Sequence, residues 1–190
     1  MNAHRVFILP FQGTALVFWG GDTAEQNRHH GNAAQKYAFD FVGQPRSGGG
    51  TGNEAYTVFG VPVMAACDGD VVEAIDGVHD NVPPGLNNYM LLGNSVVLQH
   101  DESIFSLYAH LMCGSLSVRA GDTVRQGQII GQCGNSGRST EPHLHFHLQN
   151  HWDINQAQGL KCYFGRLLLD NQLVENYSPV KGNIVANAQT

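Results

Sequence analysis

Apolar residues in this chain fall in short runs, and most of the runs alternate with polar residues or end at a turn former. VFILP (6–10), ALVFW (15–19), YAFDFV (37–42), IFSLYAHL (104–111) and HLHFHL (143–148) show the type. Period-two spacing with β-branched and aromatic residues predicts strands, with opposite faces taken by successive side chains. Strands are expected near 5–9, 15–19, 37–42, 61–66, 71–75, 95–100, 104–110, 128–131, 143–149 and 164–170, separated by Gly, Asn, Asp or Pro. One stretch, 23–36, has the composition of a helix, although His29, His30, Gly31 and Asn32 interrupt it. Residues 43–53 (GQPRSGGGTGN) and 76–94 read as long loops, which in a compact domain are often functional. The polar segment 181–190 reads as a C-terminal tail, leaving 1–180 as one domain with few short helices. No internal repeat is visible.

Composition narrows the partners. The chain has 190 residues, 42% of them apolar, enough to bury a sizeable core. Net charge is −6 with ten Lys and Arg and no basic stripe, so nucleic acid is not expected as a partner. The 23 glycines and the scarcity of charge fit many turns and short strands. The apolar N-terminal stretch is broken by Pro10, Gln12 and Gly13, so neither a transmembrane segment nor a signal peptide is expected in it. Cys67, Cys113, Cys133 and Cys162 form no CxxC pair, which argues against a thiolate zinc knuckle; they read as small buried apolar residues.

The chemistry concentrates in HLHFHL. On a strand, His143, His145 and His147 share one face, above an apolar underside of Leu144, Phe146 and Leu148. Imidazoles aligned over a buried sheet suit a metal or proton-transfer site. A catalytic zinc takes three protein ligands and keeps one open position, so residues elsewhere must contribute. Candidates are His29, His30, Asp40, His79, His100 and His110. Asp40 stands out because a carboxylate inside the aromatic run YAFDFV is costly unless paired or metal-bound.

Several blocks, taken in order, resemble peptidase family M23, the lysostaphin-like or LytM-type zinc peptidoglycan endopeptidases. NRHHGNAAQKYAFDF (27–41) resembles the first metal block, with a long gap between His and Asp. GVPVMAACDGDVVEA (60–74), GNSVVLQH (93–100) and LYAHL (107–111) resemble the segments that follow. VRAGDTVRQGQIIGQCGNSGRSTEPHLHF (118–146) resembles the Gly-rich run ending in His-Leu-His-Phe. The resemblance spans about 27–150, the motif-bearing core. It implies an antiparallel β-sheet sandwich of the duplicated-hybrid-motif type with the site in a groove, and one zinc per chain. The implied metal ligands are His29, Asp40 and His145, with His30 adjacent to the first. The implied catalytic residues are His110 and His143, flanking the open position. His147 stands where the family more often has Glu or another polar residue. Ser136 and Ser139 read as part of a turn shaping the groove.

The implied reaction is hydrolysis of a peptide bond by a zinc-activated water. The implied substrate is a peptide or bacterial cell-wall peptidoglycan, which would place the protein outside the cytoplasm. Two other readings share these residues: a catalytically silent M23-like regulatory domain, and a phosphocarrier on a related hybrid-motif fold. The presence of every motif His and Asp speaks against the first, and the phosphocarrier does not need Asp40. Oligomeric state is not legible in the chain.

Overall fold

The computed structural model describes residues 5–43 and 52–188, so residues 44–51 of the expected 43–53 loop lie outside it. The strands are β1 (Thr14–Trp19), β2 (Phe39–Gly43), β3 (Pro62–Met64), β4 (Gly69–Ile75), β5 (Asn94–Asp101), β6 (Ile104–Leu111), β7 (Thr123–Val124), β8 (Ile129–Gln132), β9 (Leu144–Gln149), β10 (Gly159–Leu160), β11 (Phe164–Leu169), β12 (Gln172–Tyr177) and β13 (Ile184–Asn187). Asn53–Ala55 forms a single 3₁₀ turn. Eleven strands make one sheet, ordered β12-β11-β13-β1-β2-β9-β6-β5-β4-β7, with β10 on β9. β3 and β8 form a separate two-stranded ribbon. All these pairings are antiparallel, as the mainly β, antiparallel expectation required.

The core lies against one face of the large sheet. Phe39 and Phe41 on β2, Tyr108 on β6, and Leu144, Phe146 and Leu148 on β9 all enter it, with Val63 and Ile130 from the ribbon. Phe146 has no exposed surface and sits between the Tyr108 and Phe164 rings, at centroid distances of 5.2 and 6.1 Å. Truncating such a ring costs about 3–5 kcal/mol. Period two then turns Asp40, His145, His147 and Gln149 to the opposite face.

β6 breaks this alternation at one point. Tyr108 and Leu111 both belong to the core, three positions apart, and the β5–β6 register shifts between Asn94 and Val96. The additional residue is accommodated at His110, whose φ is 62°. Non-glycine residues rarely adopt this left-handed region. As at a β-bulge, the irregularity re-aims a side chain, and it delivers His110 to the cleft that also holds His145.

Three sequence expectations need correction. Residues 5–9 make no ladder; Phe7 forms an isolated bridge to Phe164, and the Ile8 N–H donates to the Ala66 carbonyl at 2.9 Å. The 23–36 segment is a succession of turns, not a helix. The buried Asn27 amide donates to the carbonyls of Gly21, Lys36 and Ala38, and Asn32 Oδ1 accepts from the Ala34 and Gln35 N–H groups. Side chain to backbone bonds of this kind compete with the helical ladder. Finally, the polar segment 181–190 is no loose tail over 184–187. β13 pairs with both β1 and β11, Val185 is buried, and the Asn187 amide donates to the Leu9 and Phe11 carbonyls.

Candidate metal centre

β2 and β9 set two residues side by side: Asp40 and His145 are register partners. Both are 2% exposed. His145 Nδ1 lies 2.9 Å from Asp40 Oδ1. His29, presented by the turns before β2, brings Nε2 to 3.0 Å from Asp40 Oδ2. One ligand atom from each of His29, Asp40 and His145 lies within 4.8 Å of the others. The neighbouring His30 takes no part in this cluster, and its buried Nδ1 has no hydrogen-bond partner. Of the remaining candidates, His79 is exposed, and His100 is buried elsewhere between the Asp68 carbonyl and the Ser106 hydroxyl.

His110 and His143 complete the cleft. Their rings are 4.7 Å apart, and His143 Nε2 is 3.8 Å from Asp40 Oδ1. Each ring is fixed through Nδ1. His110 Nδ1–H donates to the Ser136 carbonyl at 2.9 Å, and His143 Nδ1–H to the Glu141 carbonyl at 2.9 Å, with Ser139 Oγ at 3.1 Å. Neutral imidazoles so held keep Nε2 free of its proton and available as an acceptor.

The seat under His110 is built from the turn at 135–139. Ser136 Oγ donates to the Leu111 carbonyl at 2.7 Å and accepts from the Asn94 N–H at 2.9 Å. The Asn81 side-chain amide donates to the carbonyls of Asn135, Gly137 and Ser139 at 2.8, 2.7 and 2.9 Å. Gly137 has φ +74°, and a Cβ there would meet the Gly93 backbone nitrogen at 2.3 Å. Only glycine fits that backbone and that contact.

Electrostatics follow from burial among charges. Burial alone would raise the Asp40 pKa, yet the close imidazoles of His143, His29 and His145 hold it well below the usual carboxylate range. Burial, helped by the neighbouring imidazoles of His143 and His145, pushes His110 well below its ordinary value. Burial is also the main cause that lowers His145 to about 4 and His147 to about 3. The centre therefore offers an ionised Asp40 and, in His145, an imidazole neutral near pH 7, and carboxylate with imidazole is a donor set zinc favours.

A cleft of about 430 Å³ opens over these groups. Its lining includes Trp19, Arg28, Leu86, Leu91 and Arg138. Arg28, Arg138 and the loop leucines carried no periodic signal in the chain. Gln149 did: it extends the His143, His145, His147 alternation by one more step.

The model of Peptidase family M23 matches residues 50–157. The glycyl-glycine endopeptidase ALE-1 of Staphylococcus capitis is 34% identical over 142 residues, 71% of this chain and 36% of that protein. The peptidoglycan DD-endopeptidase ShyA of Vibrio cholerae is 38% identical over 89 residues, 47% of this chain and 17% of that protein. The chain thus spans little more than a third of the first relative and less of the second. A crystal structure of a zinc-containing peptidase from Vibrio cholerae shares the fold, with a TM-score of 0.51 and 23% identity over 82% of this chain and 39% of that one.

Proposed function

The chain belongs to peptidase family M23, and on that premise we propose that it is a zinc-dependent endopeptidase that cleaves bacterial cell-wall peptidoglycan outside the cytoplasm. The observation that carries this reading is the meeting of His29, Asp40 and His145 with His110 and His143 in one cleft. His29, Asp40 and His145 would hold the ion. Zinc in such a site supplies Lewis acidity and lowers the pKa of water from 15.7 to about 7.

The chain's own groups do the rest. Nε2 of His110 or His143 takes a proton from the attacking water and returns one to the departing amine, a role needing an imidazole near neutrality. The carbonyls of Ser136 and Glu141 keep each ring in the tautomer that exposes Nε2. The cleft, with Trp19 and Leu91 in its lining, would receive an extended peptide.

The relatives named above divide between a glycyl-glycine and a DD-endopeptidase. Arg28 and Arg138 line the cleft, and neither forms an ion pair among the described residues. Free guanidinium groups bind carboxylates well. That favours stem peptides, which carry free carboxylates, over uncharged glycyl bridges.

The test is elemental analysis of the purified protein followed by digestion of peptidoglycan and of pentaglycine. One zinc per chain and new amino termini, abolished by a chelator and restored by zinc, are expected. Cleavage that persists after verified metal removal overturns the reading. Zinc binding with no cleavage of either substrate favours the regulatory domain instead. Cleavage of pentaglycine alone overturns only the preference for stem peptides.

A further inference from the structure

Behind His145 a line of buried polar groups runs away from the cleft. His145 Nε2 is 3.1 Å from His147 Nδ1, and His147 Nε2 is 2.8 Å from Gln149 Oε1. The Gln149 amide Nε2 then donates to the Trp152 carbonyl at 3.1 Å. His147 and Gln149 have no exposed surface and His145 has 2%. Cut off from bulk solvent, these groups must be paired, and each finds its partner in the next residue of the line.

The polarity of this line is fixed at its far end. A backbone carbonyl only accepts, so Gln149 must turn its NH₂ toward Trp152 and its Oε1 toward His147. Oε1 in turn only accepts, so the His147 proton must sit on Nε2. A neutral imidazole has a single N–H, so His147 Nδ1 is an acceptor, and the proton of His145 must sit on Nε2 to reach it. The Nδ1 lone pair of His145 is then left facing Asp40 Oδ1 at 2.9 Å. Two electron-rich atoms at that separation repel unless a cation lies between them. The opposite polarity would bring Oε1 of Gln149 against the Trp152 carbonyl, or a bare His147 Nε2 against Oε1.

The geometry points to Gln149, acting through His147, as the positioning residue that locks His145 in the Nε2–H tautomer and so prepares Nδ1 as a metal ligand. This rests on the metal centre proposed above and extends it from the ligands to the residues that orient them. Outer partners of ligating histidines commonly contribute 10–100-fold to metal affinity. Here the partner is a second buried histidine, and the direction of the line is dictated by an amide anchored on the main chain.

The experiment has two arms. In metal-free wild-type protein, ¹⁵N NMR of the imidazoles should show His145 and His147 both as Nε2–H tautomers. An Nδ1–H tautomer at either ring overturns the inference, and this arm needs neither zinc nor activity. In the second arm, zinc affinity is measured by competition with a chromophoric chelator. Gln149→Leu, which removes the acceptor, should weaken zinc binding about 10–100-fold and mix the His145 tautomers. Gln149→Glu, which still accepts from His147, should bind zinc more tightly than Gln149→Leu. Equal affinity of wild type and Gln149→Leu overturns the inference. If Gln149→Leu does not fold, the wild-type tautomers decide alone. Failure of the wild-type protein to bind zinc would instead sink the metal centre, whatever the tautomers show.

Discussion

At Asp40 a carboxylate 2% exposed is surrounded by imidazoles, so each neighbour has a separable job. His145→Ala removes one of three convergent donors, and stoichiometric zinc should be lost on elemental analysis; full retention would exclude His145 as a ligand. His110→Ala and His143→Ala should keep zinc yet lose about 10²–10⁴ in rate, the usual contribution of a general acid–base group. Metal loss in either variant would make that residue a ligand, and near-normal turnover would remove it from the chemistry. Much of this set was readable beforehand. Alternation aligned His143, His145 and His147, and the cost of burying a charge singled out Asp40. The seat of His110 was not readable, because its left-handed φ of 62° breaks the period on which reading a strand depends. Arg28 and Arg138 were hidden for a different reason: both line a cleft that local spacing does not describe.

Among the elements, the turn at 135–139 has the clearest leverage on the site. Gly137→Ala forces an L side chain into a backbone with φ +74° and against the Gly93 nitrogen. We expect a loss of about 1–3 kcal/mol in stability, the scale of a strained backbone residue. The Ser136 carbonyl would shift with the turn, so kcat should fall with zinc still bound. Unchanged melting and turnover would show that the turn does not seat His110. The strands that carry the site, β2, β6 and β9, were legible because each buries an apolar face. β12 was not, since QLVENY is mostly exposed and has no apolar face to read. β13 was missed because its apolar run is only Ile184–Ala186, set in an otherwise polar segment, with Val185 alone buried. The 23–36 stretch misled because helix-compatible residues there answer to Asn27 and Asn32 instead.

For the molecule as a whole, pH acts through its buried imidazoles. His145 and His147 titrate at about 4 and 3 in the fold, below their ordinary 6.5. The unfolded chain therefore takes up protons first as pH falls, and stability drops from about pH 6.5 down to those lower values, with little change above pH 7. Asp40, also depressed, adds its loss only below the ordinary carboxylate range. Chemical denaturation of the metal-free protein across pH 4–8 should trace this slope; a flat profile would contradict the burial of neutral imidazoles. Zinc affinity at the His145 nitrogen should instead fall only toward about pH 4, where the folded protein protonates that ring and proton and metal compete for it. Timing matters at this scale as well. β13 lies between β1 and β11 in the sheet but follows both in the chain. Until residue 187 has emerged during synthesis, β1 presents a bare edge and the β11–β12 hairpin has no strand to join. At about 5–20 residues per second, the hairpin waits roughly a second over the ten positions from 177 to 187, while the β1 edge stays bare from residue 19 to residue 187, roughly 8–34 s. A holdase that shields β1 in that interval would keep nascent copies from pairing with one another, and slow codons placed there would prolong the exposure.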